Sequence, residues 1–342
     1  MSLFGAGLMA LRTDRTGLLE RLADLGPRGG ARWRCTAHFS GRTALAAVAR
    51  ALVASGRPRV ALLPAYLCNV VEMAFVREGF EVRHYEVDEA FHPDTAALMR
   101  VAAEQDAGVL LLAPLYGSDG GLAAWTSEVA ADLRRERGLA LVLDLCQDAG
   151  WLQALTAPLT DAAVVVSFND KSFPGAMGAA VWSDLAVHEP PEPARRIGRA
   201  LVRWRLRVFA AACWRRLKRC RAAAAGRAAG YDEMVPAAFE FSRATAFPHA
   251  FDVEGATRWQ IALGIVGLVR LPQWQARRAA ALQRGTVRAA GPSAGSTSPF
   301  VLVRDDDPGS HRAKPPYACA GDARASLRPT IRVRHNKGFD DR

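Results

Sequence analysis

No stretch of this chain approaches the roughly 20 uncharged apolar residues that a membrane-spanning helix needs. The first residues, MSLFGAGLMALRTDRTGLLERL, have no cationic start ahead of their apolar part and no clear cleavage site, so they make a poor secretory leader. Cysteine is sparse: Cys35, Cys68, Cys146, Cys213, Cys220 and Cys319 show neither metal-ligand nor disulfide-framework spacing, and we read them as reduced intracellular thiols. His84 and His92 show no pairing that suggests a metal site, so solvated surface positions are the expectation and no metal is expected. There is no internal repeat. Acid is almost missing from one segment. Between Pro191 and Arg227 there are 12 Lys or Arg and one acid, Glu192, while the remainder holds 33 residues of each sign. The formal charge of +11 therefore belongs to that segment, and a neutral body with one basic addition argues against a nucleic-acid binder.

What is present suits a large core. The 342 residues are 50% hydrophobic and 23% charged, enough for one large or two moderate globular domains. A leucine pattern at Leu18, Leu19, Leu22 and Leu25 predicts an N-terminal helix ended by Gly26-Pro27. Ser40 is a natural N-cap for a helix carrying Ala46, Val48, Ala49, Leu52 and Val53, and a helix start with Gly41 can approach a phosphate closely. Strands are expected at Arg59–Leu63, Glu81–Val87, Gly108–Ala113, Leu139–Leu145 and Ala162–Phe168. Helices are expected between them at Val70–Glu78, Asp94–Glu104 and Trp125–Arg137. The alternation predicts an α/β protein with a mostly parallel, helix-flanked sheet.

Two of these strands end in chemistry. The first apolar run delivers Asp144 and Gln147, and the second delivers Ser167 and then Lys171. Ligand crevices in open α/β sheets lie at the C-terminal ends of strands. A lysine there can form a Schiff base with the aldehyde of pyridoxal 5′-phosphate (PLP). A carboxylate can keep the pyridine nitrogen protonated, so that the ring accepts electrons.

The series SGRTAL, LLPAYLCNVV, YEVDEAFHPD, LAPLYG, LVLDLCQDAG and SFNDKSFPGAMGAAV, in that order, resembles the DegT/DnrJ/EryC1/StrS family of PLP-dependent sugar aminotransferases, within the aspartate aminotransferase (fold type I) superfamily. The likeness spans roughly Phe39–Asp184, with an echo at Arg258–Gly264. It implies a large Rossmann-like PLP domain followed by a small domain, and a homodimer with its sites at the interface. It implies Lys171 as the Schiff-base lysine and proton carrier, Asp144 as the pyridinium partner and Gln147 near the 3-hydroxyl. Ser167 and the backbone of Gly41, Arg42 and Thr43 would hold the phosphate, and Tyr116 and Gly117 would shape the pocket floor. The substrates the resemblance implies are an amino acid, glutamate, and a keto-sugar carried on a nucleotide.

The sequence departs from the family pattern at several points. Two residues, Asn169 and Asp170, stand between Ser167-Phe168 and Lys171 where relatives have three, a difference of about 3.3 Å of extended chain. The aromatic that stacks on the pyridine ring falls at Cys68. Tyr66, two residues earlier, would share its face if the chain is extended there. The usual double glycine reads Gly178-Ala179-Ala180, and the Asn-Tyr-Arg segment reads Phe247-Pro248-His249-Ala250-Phe251. These departures keep open a non-catalytic relative that serves as a scaffold or regulator; a PLP enzyme of different outcome, such as a dehydratase, also stays open because the same lysine can serve either course.

The division expected is an N-terminal arm (1–30), the PLP domain (31–185), a basic helical insert (186–255), a reduced small domain (256–304) and a loose tail (305–342). In the insert, Ile197, Leu201, Trp204 and Val208 share a helical stripe opposite Arg195, Arg199 and Arg203. The stripe then shifts to Cys213, Leu217 and Cys220. Residues 191–227 are thus read either as an interfacial helix touching an anionic membrane surface, in a cytoplasmic protein peripheral to it, or as a helical cover with snorkelling arginines. The first of these keeps open an accessory of polysaccharide assembly. Arg258–Gln283 reads as one amphipathic helix and Phe300–Val303 as a strand.

Overall fold

The computed structural model describes residues 3–28, 33–88, 90–115, 118–157, 159–168, 178–192, 255–284, 300–304 and 331–335, together with the helical positions 214, 217, 221 and 224. The N-terminal arm is two helices, α1 (Leu3–Arg12) and α2 (Arg15–Ala23), the second capped by Asp14 accepting from the Gly17 N–H. Alternating strands and helices follow: β1 (Arg34–His38), α3 (Gly41–Ala54), β2 (Val60–Pro64), α4 (Asn69–Arg77), β3 (Glu81–Tyr85), α5 (Thr95–Glu104), β4 (Val109–Leu112), α6 (Leu122–Trp125), α7 (Glu128–Glu136), β5 (Ala140–Asp144), β6 (Ala162–Ser167) and β7 (Ala179–Ser183). After the described linker to residue 192 come α8 (Arg258–Val269), α9 (Leu271–Arg284), β8 (Phe300–Arg304) and β9 (Ile331–His335).

Seven strands form one sheet in the order β1-β7-β6-β5-β4-β2-β3. Only β7 runs antiparallel to its neighbours, β1 and β6. The pairs β6–β5, β5–β4, β4–β2 and β2–β3 are parallel. Side-chain alternation sends Val109, Leu111, Val142, Ala163, Val165 and Val181 to one core with α3 and α4. Leu110, Leu112, Leu141, Leu143, Val164 and Trp182 go to a second core with α2, α8 and the buried Trp125. Both faces are dry, which is why the central strands read as unbroken apolar runs. The chain leaves β2 through α4 toward β3 on one side, and leaves β4 toward β5 on the other. The two connections diverge, so the C-terminal ends of β2 and β4 border a switch-point crevice.

Several boundaries differ from the sequence reading. β1, whose alternating Arg34-Cys35-Thr36-Ala37-His38 carries little apolar signal, pairs along its whole length with β7. Residues 258–283 form two helices that break at Arg270, with Pro272 in the opening turn of the second, where its missing N–H costs nothing. The first of them, α8, is buried on nearly every face instead of being amphipathic, from Gln260 through Leu268. β9 lies within 305–342, where no strand was expected. Ile331 and Val333 alternate with arginines, a signal too short to read until β8 supplies its partner. A polar joint closes the arm onto the body: Arg15 ion-pairs with Glu189 and donates to the Ala256 carbonyl, and Glu189 accepts the Ala37 N–H at 2.9 Å.

Candidate active site

α3 starts where β1 ends, and its start is fixed by a reciprocal cap. The Ser40 N–H donates to Thr43 Oγ1 at 3.0 Å, and the Thr43 N–H donates to Ser40 Oγ at 3.3 Å. Thr43 is fully buried, and its hydroxyl donates to the Ser40 carbonyl at 2.9 Å. Its side chain and N–H therefore serve the cap. The N–H groups of Gly41 and Arg42 are the remaining donors of the first turn, at the positive end of the helix dipole.

This helix start rests against the ends of β5 and β6. A Cβ on Gly41 would lie 3.0 Å from Cys146 Sγ, 3.3 Å from Ser167 Cβ and 3.5 Å from Ser167 Oγ. Glycine suits this position because a Cβ would crowd these atoms, which would have to shift by a few tenths of an ångström. Asp144 and Ser167 lie on the α3 face by strand parity, in step with Val142 and Val165. Both are buried, at 2% and 4% exposure. Asp144 Oδ1 accepts the Cys146 N–H at 3.0 Å. A carboxylate this deep is costly unless it is hydrogen-bonded or paired, and a protonated ring nitrogen is the kind of partner it suits. Gln147 follows at a half-buried position.

The other side of the crevice is built from the loops after β2, β3 and β4. Cys68 stands at the N-cap of α4 and makes no side-chain cap bond. The Arg42 guanidinium is pushed down by burial, with Cys68 opposing that shift, so the two side chains share one neighbourhood. Residues 65–67 bend, so Tyr66 and Cys68 do not share the face of an extended strand. Tyr66 is buried and packs edge-on against Phe91, with centroids 6.0 Å apart at 73°.

Lys171, Tyr116 and Gly117 lie outside the described residues. The neck of the lysine segment is described: the Phe168 N–H donates to the Gly178 carbonyl at 2.7 Å, and Ser167 pairs with Ala179. Phe168 is completely buried against α8, where a Cβ on Gly264 would come within 2.4 Å of its ring.

Sequence reasoning missed three features here. Cys146 packs on Gly41, although nothing but its place two residues after Asp144 could have marked it. His38 is fully buried, 2.9 Å from Thr36 Oγ1, and burial holds it at about 3. His92, expected to be solvated, lies 2.6 Å from Asp119. Among the described residues no cluster of His, Cys, Asp or Glu could hold a metal ion, and no helix is long and apolar enough to cross a membrane.

No family model and no curated protein matches the sequence. Solved structures do. The chain superposes on Helicobacter pylori PseC, an aminotransferase involved in the biosynthesis of pseudoaminic acid, with a TM-score of 0.54 at 15% identity, over 89% of this chain and 75% of that one. On S. venezuelae DesV in complex with a ketimine intermediate the TM-score is 0.52 at 16% identity, over 88% and 73%. On a DegT DnrJ EryC1 StrS aminotransferase from Brucella abortus it is 0.52 at 14% identity, over 84% and 69%. A structure of SPT with its PLP internal aldimine gives 0.52 at 12% identity, over 98% and 78%. With its seven-stranded sheet and single antiparallel strand, the chain thus shares the fold of these solved structures, aminotransferases among them.

Proposed function

We propose that this chain is a PLP-dependent aminotransferase that moves an amino group from an amino acid, glutamate, to a keto-sugar carried on a nucleotide, working as a homodimer in glycan biosynthesis. One observation carries the reading: the α3 start and the buried Asp144 and Ser167 share one face of the sheet, with the Gly41 backbone packed close against Cys146 and Ser167. PLP, when bound, supplies an electron sink for the carbon that exchanges the amino group. Asp144 holds the pyridine nitrogen protonated. Ser167 Oγ and the N–H groups of Gly41 and Arg42 hold the phosphate. Gln147 orients the 3-hydroxyl. Lys171 follows Phe168 by three residues, so chain connectivity keeps its Cα within about 10 Å of that anchor. There it would anchor the aldehyde and then carry a proton between the substrate α-carbon and C4′. On this reading residues 31–185 are the PLP domain and 256–304 a reduced small domain.

The test is turnover. Purified protein supplied with PLP, glutamate and a panel of nucleotide-linked keto-sugars should release 2-oxoglutarate with at least one acceptor, and Lys171→Ala should release none. Bound PLP without turnover on any acceptor would favour the scaffold instead.

A second reading concerns location: peripheral attachment to an anionic membrane surface through 191–227. It is favoured by the helical positions Trp214 and Leu217, exposed at 55% and 43%, in the segment with 12 basic residues. Sedimentation with anionic vesicles at low salt should carry the protein down, and Trp214→Ala/Leu217→Ala should leave it in solution. Absence of binding by the unaltered chain removes this reading.

A further inference from the structure

The switch-point crevice between β2 and β4 is spanned by the loop after β3, and three separate contacts do the spanning. Phe91 lies against Tyr66, two residues before Cys68 in the loop after β2. The Ser118 hydroxyl, in the loop after β4, donates to the Ala90 carbonyl. His92 Nε2 lies 2.6 Å from Asp119 Oδ1, an ion pair when the ring is protonated. The packing is close beneath them: a Cβ on Gly121, which already has φ +78°, would meet Pro93 Cδ at 3.0 Å.

The loop after β3 is held in an uncommon shape. Phe91 has φ +65°, a region that bulky side chains avoid. Asp88 enforces it, with Oδ1 accepting the N–H groups of Ala90 and His92 at 2.8 Å each, while its own N–H donates to the His92 carbonyl at 2.8 Å. The turn therefore delivers Phe91 to Tyr66 on one side and His92 to Asp119 on the other. On its far side, Asp119 Oδ1 also accepts the Gly121 N–H at 3.2 Å.

We infer that His92 and Asp119 form a positioning pair that locks the loop after β4 onto the loop after β3 and so fixes the crevice wall formed by Tyr66 and Cys68. His92 touches no reacting atom in this account; it acts through Phe91 and residues 118–121. The wall's role in substrate binding rests on the function proposed above, whereas the lock itself does not.

The lock has a pH window. The charged groups that face His92 among the described residues are Asp119 across the crevice and Asp88 on its own loop, and both raise the imidazole, Asp119 most. Burial pushes the Asp119 carboxyl up, but His92 and the Gly121 N–H outweigh that, and its net shift is down. Asp119 is therefore ionised throughout the neutral range. The lock is complete below the ordinary imidazole value and is lost as pH rises through the raised one.

Hydrogen exchange tests this without any substrate. The amides of Ala90, His92 and Gly121 should be protected near pH 6 and lose roughly threefold in protection, corrected for intrinsic rates, as pH rises past the imidazole transition; a half-exposed ion pair supports a change of that size. His92→Gln should lack the extra protection at every pH. His92→Lys, with a permanent cation, should keep it at pH 9. Asp119→Asn should behave like His92→Gln and covers the case in which a His92 variant fails to fold. If turnover is found, His92→Gln should raise KM with kcat little changed. Identical exchange profiles in wild type and His92→Gln would overturn the lock. Absence of PLP binding in a protein with the expected exchange profile would instead overturn the enzymatic reading alone.

Discussion

Gly264 is the position at which the packing of α8 controls the segment that carries Lys171. An alanine there would place its Cβ 2.4 Å from Phe168 Cε2 and 2.6 Å from both Cδ2 and Cζ, well inside contact distance. The ring has no room to retreat, because Phe168 is fully buried and its N–H is tied to the Gly178 carbonyl. Overpacking of this kind costs about 1–3 kcal/mol. Helix propensity works the other way, since alanine in a helix interior is favoured over glycine by about 1 kcal/mol. With three ring atoms within 2.6 Å the packing cost falls at the upper end, about 2–3 kcal/mol, so the net expectation for Gly264→Ala is a loss of about 1–2 kcal/mol, or roughly 1.5–3 °C in Tm for a chain of this length. Differential scanning fluorimetry with a urea titration measures it. The double variant separates the two effects: in a Phe168→Leu background the clash is relieved, and Gly264→Ala should then be neutral or stabilising. A single Gly264→Ala variant as stable as wild type would refute the reasoning, because it would mean that the Phe168 neck yields freely. On the proposed function, the same variant should also weaken PLP retention, since Lys171 follows Phe168 by three residues.

Other expectations follow from buried polar groups. His38 is held at about 3 by burial, with Arg50 and Arg15 adding to the shift. Its folded value lies below its unfolded one, so the stability present above pH 6.5 is lost as pH falls toward 3, by on the order of 5 kcal/mol. His38→Gln should flatten the acid limb of a stability-against-pH curve, and an unchanged limb would assign acid unfolding to other groups. Arg134 is 2% exposed, and its Nε and Nη2 have no hydrogen-bond partner among the described residues. The Asp184 carboxylate nearby already accepts the Asp161 and Ala162 N–H groups at 2.8 and 2.9 Å. Arg134→Met gives up a long hydrogen bond to the Thr160 carbonyl and the attraction of Asp161 and Asp184, but also the cost of burying a guanidinium with two nitrogens lacking partners; it should therefore cost under about 1 kcal/mol, and a loss above 3 kcal/mol in urea unfolding would contradict this. Gly41→Val would press a branched side chain on Cys146 and Ser167. It should reduce PLP affinity by at least tenfold in a fluorescence titration while Tm of the cofactor-free protein falls only modestly.

The polar ends of β5 and β6 were legible because both strands are buried on two faces. Asp144 and Ser167 are the first polar side chains after unbroken apolar runs, and polarity there marks the strand end. The Ser40 cap was legible for a similar reason: its partner Thr43 lies three residues away in sequence. The His92–Asp119 pair was not. Those residues are 27 positions apart on two different loops. Only the sheet order, which sets β4 beside β2 and away from β3, brings the loops together. The break of α8 from α9 was hidden because apolar periodicity continues through Arg270, and the full burial of α8 depends on α1 and α2, far earlier in the chain. Direction was equally hidden: nothing in Ala179–Ser183 distinguishes the one antiparallel strand from its parallel neighbours.

The central claim is that the α3 start, Asp144 and the Phe168–Gly178 neck frame a PLP site closed by Lys171. It is tested most directly by the visible absorbance of the purified protein after incubation with PLP and removal of excess. The account predicts the band of lysine-bound PLP in the wild type, its loss in Lys171→Ala, and a weakened, pH-shifted band in Asp144→Asn. A wild-type protein without that band, or a Lys171→Ala variant that keeps it unchanged, would contradict the account.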